Sequence, residues 1–165
     1  MKKVIKNYLA KLQENDKKGF SLVELIIVMA IMAILVGIVA SQVLPYMEKS
    51  RMSKDQQQLS SLCTDIVSAI SQADGTVTSF NATQLSSCNT TTGGADWVTE
   101  LGLLRSSDGT TATPVATIES DIAGKFKSKT AKATPDIYVE YSNTTGQVTV
   151  YCAGGTVDKL KVVSE

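Results

Sequence analysis

The feature that most limits this chain is the run from Phe20 to Leu44, 25 residues that are apolar almost throughout and carry one charge, Glu24. As a helix rising ~1.5 Å per residue it reaches roughly 37 Å, more than the ~30 Å hydrocarbon core of a bilayer. The run can therefore span a membrane. Secretory signal cores are shorter, about 7 to 15 apolar residues ahead of an Ala-x-Ala-like site, so secretion with loss of this segment is not expected. Glu24 is the anomaly. A carboxylate near a helix end can snorkel into the headgroups, but an acid inside a span is usually partnered, and in a medium of low dielectric an ammonium attracts it strongly.

Charge sets the direction of insertion. Residues 1–19 hold six lysines against Glu14 and Asp16, a net of +4, while the remainder has ten basic and fourteen acidic residues, a net of −4. The positive flank stays in the cytoplasm and the larger, acidic part is exported. An acidic exported domain argues against a broad nucleic-acid-binding face. Within the first nineteen residues, Val4, Ile5, Tyr8, Leu9 and Leu12 fall on one helical face, an interfacial helix in the uncut chain.

The residues at the head of the run carry a family resemblance. Lys17-Lys18-Gly19-Phe20-Ser21-Leu22-Val23-Glu24-Leu25, with an apolar helix behind it, resembles the prepilin signature of type IV pilins and pseudopilins. The resemblance covers residues 11–72 and is only architectural beyond them. It implies that a membrane-embedded prepilin peptidase cuts between Gly19 and Phe20 and N-methylates Phe20. It also implies that Glu24 pairs with the Phe20 amine of a neighbouring subunit as the helix leaves lipid for a filament. Family filaments melt this helix between a Gly and a Pro; here Gly37 and Pro45 bracket that stretch, although the Pro stands later than in common type IVa pilins.

Beyond the span, Pro45 lacks a backbone donor and crowds the carbonyl four residues back, so a kink or local break is expected near Ser41–Pro45, with Gly37 a second weak point. Glu48, Lys49, Arg51, Lys54 and Asp55 read as a water-exposed collar, with lipid phosphates a contact for it before assembly. Leu59, Leu62, Cys63, Ile66, Val67 and Ile70 then form one apolar helical stripe, which Asp74-Gly75 ends. Residues 73–135 read mainly as loop, the counterpart of the family's variable loop. Short helices are expected around Asp96–Leu104 and Ile118–Phe126. The lysines at 125, 127, 129 and 132 read as a solvated, mobile segment, with contact to an anionic surface the lesser alternative. Asp136–Ser142, Gln147–Cys152 and Thr156–Val163 read as three antiparallel strands, the first two with alternating apolar residues, joined by turns at Asn143–Gly146 and Ala153–Gly155.

The expected fold is α+β: a long N-terminal helix, half membrane-spanning and half amphipathic, packed on a small C-terminal antiparallel sheet in the lollipop manner of pilins. Its parts are a cleaved cytoplasmic leader at 1–19, the span and filament core at 20–44, the amphipathic half-helix at 45–72, the loop region at 73–135 and the meander at 136–165.

Cys63, Cys88 and Cys152 all lie on the exported side, where disulfides persist, and their odd count leaves at least one outside any pair within the chain. The resemblance favours Cys88 with Cys152. The strand and helix faces let Cys63 meet Cys152 instead, and three free thiols are the third arrangement. Asn81, Asn89 and Asn143 each begin an Asn-x-Thr pattern and are read as loop markers. The chain has no His, no metal-ligand cluster, no Gly-x-Ser-x-Gly and no phosphate-binding glycine loop, and its acids are scattered singly. That excludes the usual catalytic constellations, and neither cofactor nor metal is expected.

The function expected is that of a structural pilus subunit. It is held in the inner membrane with its leader in the cytoplasm, cut, and polymerised with copies of itself by an assembly platform and motor into an extracellular filament. A pseudopilin of a secretion or DNA-uptake machine is the alternative within the family. A membrane-anchored binding domain that never polymerises is the alternative outside it.

Overall fold

The computed structural model describes residues 20–94, 96–152 and 160–164. The leader helix at 4–12, Gly19 and residues 156–159 of the third expected strand lie outside the described residues. Contacts divide the chain into two units, Met1–Leu44 and Pro45–Glu165. One helix, α1, Leu22–Gln72, contributes to both.

In the first unit α1 is apolar on every side, and its large side chains are exposed from Leu22 to Leu44. It has no stripe that would mark one face for a protein core. A helix with this composition is solvated by lipid or by other apolar helices.

The second unit holds the core. The second half of α1 buries Leu59, Leu62, Cys63, Ile66 and Ala69, with Val67 and Ile70 partly buried beside them. The stripe expected from 59 to 70 is thus the face that packs. Four strands follow in the order β1-β2-β3-β4: β1 Phe80–Gln84, β2 Ile137–Ser142, β3 Gln147–Cys152 and β4 Lys161–Val163, all antiparallel. β2 and β3 pair from Ile137 opposite Cys152 to Ser142 opposite Gln147, around a turn that ends at Gly146 with φ 71°. Alternation turns Ile137, Val139 and Tyr141 of β2, and Val148, Val150 and Cys152 of β3, into the core shared with α1. The Cys63 thiol donates to the Val148 carbonyl at 3.6 Å, which fixes the helix against the sheet.

The region from 73 to 135 is more ordered than a loop. β1 pairs with β2 through Phe80 opposite Tyr141 and Gln84 opposite Tyr138, with an irregularity between Phe80 and Thr83. Helix α2, Trp97–Leu104, starts at Asp96, whose carboxylate accepts from the Thr99 amide at 3.2 Å. Helix α3 spans Val115–Lys125 and α4 spans Lys129–Ala133, the latter capped by Ser128, whose hydroxyl accepts from the Ala131 amide. The helices expected at Asp96–Leu104 and Ile118–Phe126 are α2 and α3. Buried Trp97 stacks on Phe80 at 5.5 Å and donates its indole N–H to the Thr92 carbonyl at 2.8 Å.

Three carboxylates tie these pieces together. Glu119 of α3 is buried and accepts from the Ser86 amide at 2.7 Å, the Ile137 amide at 2.8 Å and the Gln84 side chain at 3.3 Å. Asp65 of α1 accepts from Arg105 Nε at 2.6 Å. Asp55 is 1% exposed and accepts from the amides of Lys127 and Ser128, both at 2.8 Å. Asp55 is therefore not part of a water-exposed collar: it faces the segment leading into α4, and backbone donors replace its water.

Candidate functional site

The site read from the sequence is the start of α1. Phe20 precedes the helix and is 84% exposed. Ser21 is the residue on which the helix opens: its carbonyl accepts from the Leu25 amide at 3.1 Å and its hydroxyl from the Val23 amide at 3.3 Å. The Ser21 amide in turn donates to Glu24 Oε2 at 3.1 Å. This is a variant of the capping box: Glu24 reaches back to the Ser21 amide, while the Ser21 hydroxyl takes the Val23 amide rather than that of Glu24. Glu24 is thus occupied within its own chain, and its charge sits at the positive end of the helix dipole. Ser21 was legible in advance, since Ser-x-x-Glu ahead of an apolar run is the capping-box pattern.

Behind the cap, α1 is helical without a break through Gly37 and Pro45. Twenty-three helical residues precede Pro45 and twenty-seven follow it, so the loss of one amide donor does not end the helix. The Ser41 hydroxyl donates to the Ile38 carbonyl at 2.8 Å in the same stretch. The melting that the resemblance implies for filaments is not a feature of this isolated helix. By length and composition the apolar part of α1 can cross a membrane.

The three cysteines are buried free thiols, so neither Cys88–Cys152 nor Cys63–Cys152 is formed. Each thiol has a place in the packing instead. Cys63 donates to the Val148 carbonyl, Cys88 donates to the Gln84 carbonyl at 3.5 Å, and Cys152 closes the core end of β3. Burial raises the Cys63 thiol above its ordinary range. It also pushes Cys88 up to about 11, with the Glu119 charge adding to the shift, and Cys152 up to about 12, with Asp55, Asp136 and Glu119 adding. Inert thiols of this kind pack as small hydrophobes.

Asn81, Asn89 and Asn143 are exposed, but Asn81 stands in β1 and does not mark a loop, and Asn89 Oδ1 accepts from the amide and the hydroxyl of Thr91. Among the described residues no cluster of His, Cys, Asp or Glu is arranged to hold a metal ion.

Residues 15–40 match the family model of the prokaryotic N-terminal methylation motif, the type IV prepilin-like signature. The motif is that of structural, pilin-like proteins and supports a type IV pilin-like or pseudopilin chain with a membrane-anchored precursor. No curated protein and no solved structure matches the chain.

Proposed function

We propose that this chain is a structural subunit of an extracellular type IV pilus. It is inserted with residues 1–19 in the cytoplasm, cut between Gly19 and Phe20 by a prepilin peptidase, methylated on the new amine, and drawn by an assembly platform and motor into a filament of its own copies. One observation carries the reading: the match to the methylation motif, which begins at residue 15, runs to residue 40 along a helix that is apolar on all sides from Leu22 to Leu44. Such a helix is equally at home in lipid and in a bundle of identical helices, so one segment serves as membrane anchor and then as filament core. Withdrawal from lipid exposes Glu24 to the amine of a neighbour, and that pair sets the axial register of the copies.

The test is electron microscopy of material sheared from cells with and without the chain, together with the N-terminal mass of the sheared protein. Filaments whose subunits begin at N-methyl-Phe20 support the reading. Protein that retains Met1 overturns the processing step, and processed protein without surface filaments points to a pseudopilin of a secretion or DNA-uptake machine.

A further inference from the structure

The held part of α1 begins beyond Pro45. Every residue from 20 to 47 is exposed, and Glu48 is the first on the helix that is not. Glu48, Met52, Asp55 and Leu59 are each buried or half-buried and recur every three or four positions, so they share one helical face, which continues as the buried stripe of Leu62 and Ile66. Acids stand on this face ahead of its apolar stripe. Both meet backbone: Glu48 accepts from the Lys129 amide, and buried Asp55 accepts from the amides of Lys127 and Ser128. Three successive residues leading into α4 are thus laid along the helix between Asp55 and Glu48.

The stretch before this contact has little to hold it. Pro45 offers no amide to the Ser41 carbonyl, and a Cβ added at Gly37 would meet nothing within 4 Å. Outside lipid, a helical stretch with no packed side chains and a missing hydrogen bond opens readily, and opening spreads along a helix until a turn is held from outside. The first buried apolar residue of α1 is Leu59. Between Pro45 and Leu59 the one fully buried side chain is that of Asp55, so these turns depend on the two carboxylates and the amides they accept from.

We propose that Lys127–Lys129 is a strap that keeps α1 helical from Glu48 onward, so that bending or opening of the helix between Gly37 and Met47 stops at Glu48 and does not reach the core. The strap acts through backbone donors, which lysine side chains do not supply. It lets the apolar run change shape on leaving lipid while the sheet and the helix packed on it stay intact, and it works in the same way whether or not copies polymerise.

Two variants cut the outer end of the strap from opposite sides. Glu48→Ala removes the acceptor. Lys129→Pro removes the donor and leaves Glu48 in place; Lys129 is the first residue of α4, a position that takes proline, and Ser128, at φ −72° and ψ 151°, already has the extended backbone that precedes one. Hydrogen exchange of the full chain in detergent, resolved to single amides, compares residues 49–54 with residues 62–70. Each variant is expected to speed exchange at 49–54 by at least about tenfold and to leave 62–70 unchanged. Unchanged exchange at 49–54 in Lys129→Pro overturns the strap. An effect of Glu48→Ala alone overturns it too, because it would assign the protection to the pairing of Glu48 with Arg51, which lie 3.7 Å apart on the same helix. Equal speeding of 62–70 also overturns it, since the segment would then stabilise the whole unit rather than set a boundary on α1.

Discussion

The amide of Ser21 donates to the carboxylate of Glu24 at 3.1 Å, so the one acid of the apolar run closes the helix on which it stands. The same carboxylate is proposed to meet the amine of another copy. Two roles for one side chain can be separated by chemistry, because a carboxamide keeps an acceptor for the Ser21 amide and has no charge.

Glu24→Gln and Glu24→Ala are both expected to be inserted and processed, and neither is expected to give filaments. N-terminal mass and electron microscopy of sheared material check this. Normal filaments from Glu24→Gln would assign the residue to helix capping and refute the charge-pairing role.

Asp55→Ala leaves the Lys127 and Ser128 amides without their acceptor in a buried place. The expected loss is about 3 kcal/mol, which corresponds to a melting temperature lower by about 10 °C for a unit of this size. Thermal unfolding of the full chain in detergent, followed by Trp97 fluorescence, measures it. A shift within error of zero would mean that the segment before α4 is not held through Asp55.

Gly93 has φ 77°, and a Cβ there would lie 2.9 Å from Val77 Cγ1 and 3.1 Å from the Thr78 carbonyl. Both the backbone conformation and the space exclude a side chain. Gly93→Ala is expected to destabilise the unit by about 2 kcal/mol and to perturb Trp97, whose indole bonds the adjacent Thr92 carbonyl. Unchanged fluorescence and unchanged stability would refute the close approach.

The raised thiols give a pH dependence of known sign. In the unfolded chain a thiol ionises near its ordinary 9.0, whereas folded Cys88 and Cys152 hold their protons to about 11 and about 12. Between those values the unfolded state binds fewer protons, so stability present below 9 is lost as the pH rises toward 12. Denaturant unfolding from pH 8 to 11 should show a steeper decline for the natural chain than for a variant with all three cysteines changed to alanine. Parallel curves would remove the thiols from the linkage.

The elements legible in the sequence are those whose own residues carry a period. The 59–70 stripe, the alternation of β2 and β3, and the short helix at Asp96–Leu104 all appear where the pattern places them. β1 was not legible, because Phe-Asn-Ala-Thr-Gln has little strand preference and becomes a strand by pairing with β2. Nor was α4, five residues long and fixed by Ser128 and by carboxylates more than seventy positions away. Asp55 was misread for the same reason, since its partners are backbone amides, which leave no mark in a sequence. At the start of α1 the pattern of Phe20 and Glu24 was plain, and the part played by Ser21 lay unread between them.

The uniform surface of α1 between Leu22 and Leu44 has a geometric consequence. A rod greasy on all sides can turn about its own long axis in lipid with little change in energy, so it supplies adhesion between copies without an azimuth. If the chains form a filament, rise along the fibre can be set by the acid at one end of the rod. The angle at which each copy faces outward must come from the polar unit that follows it.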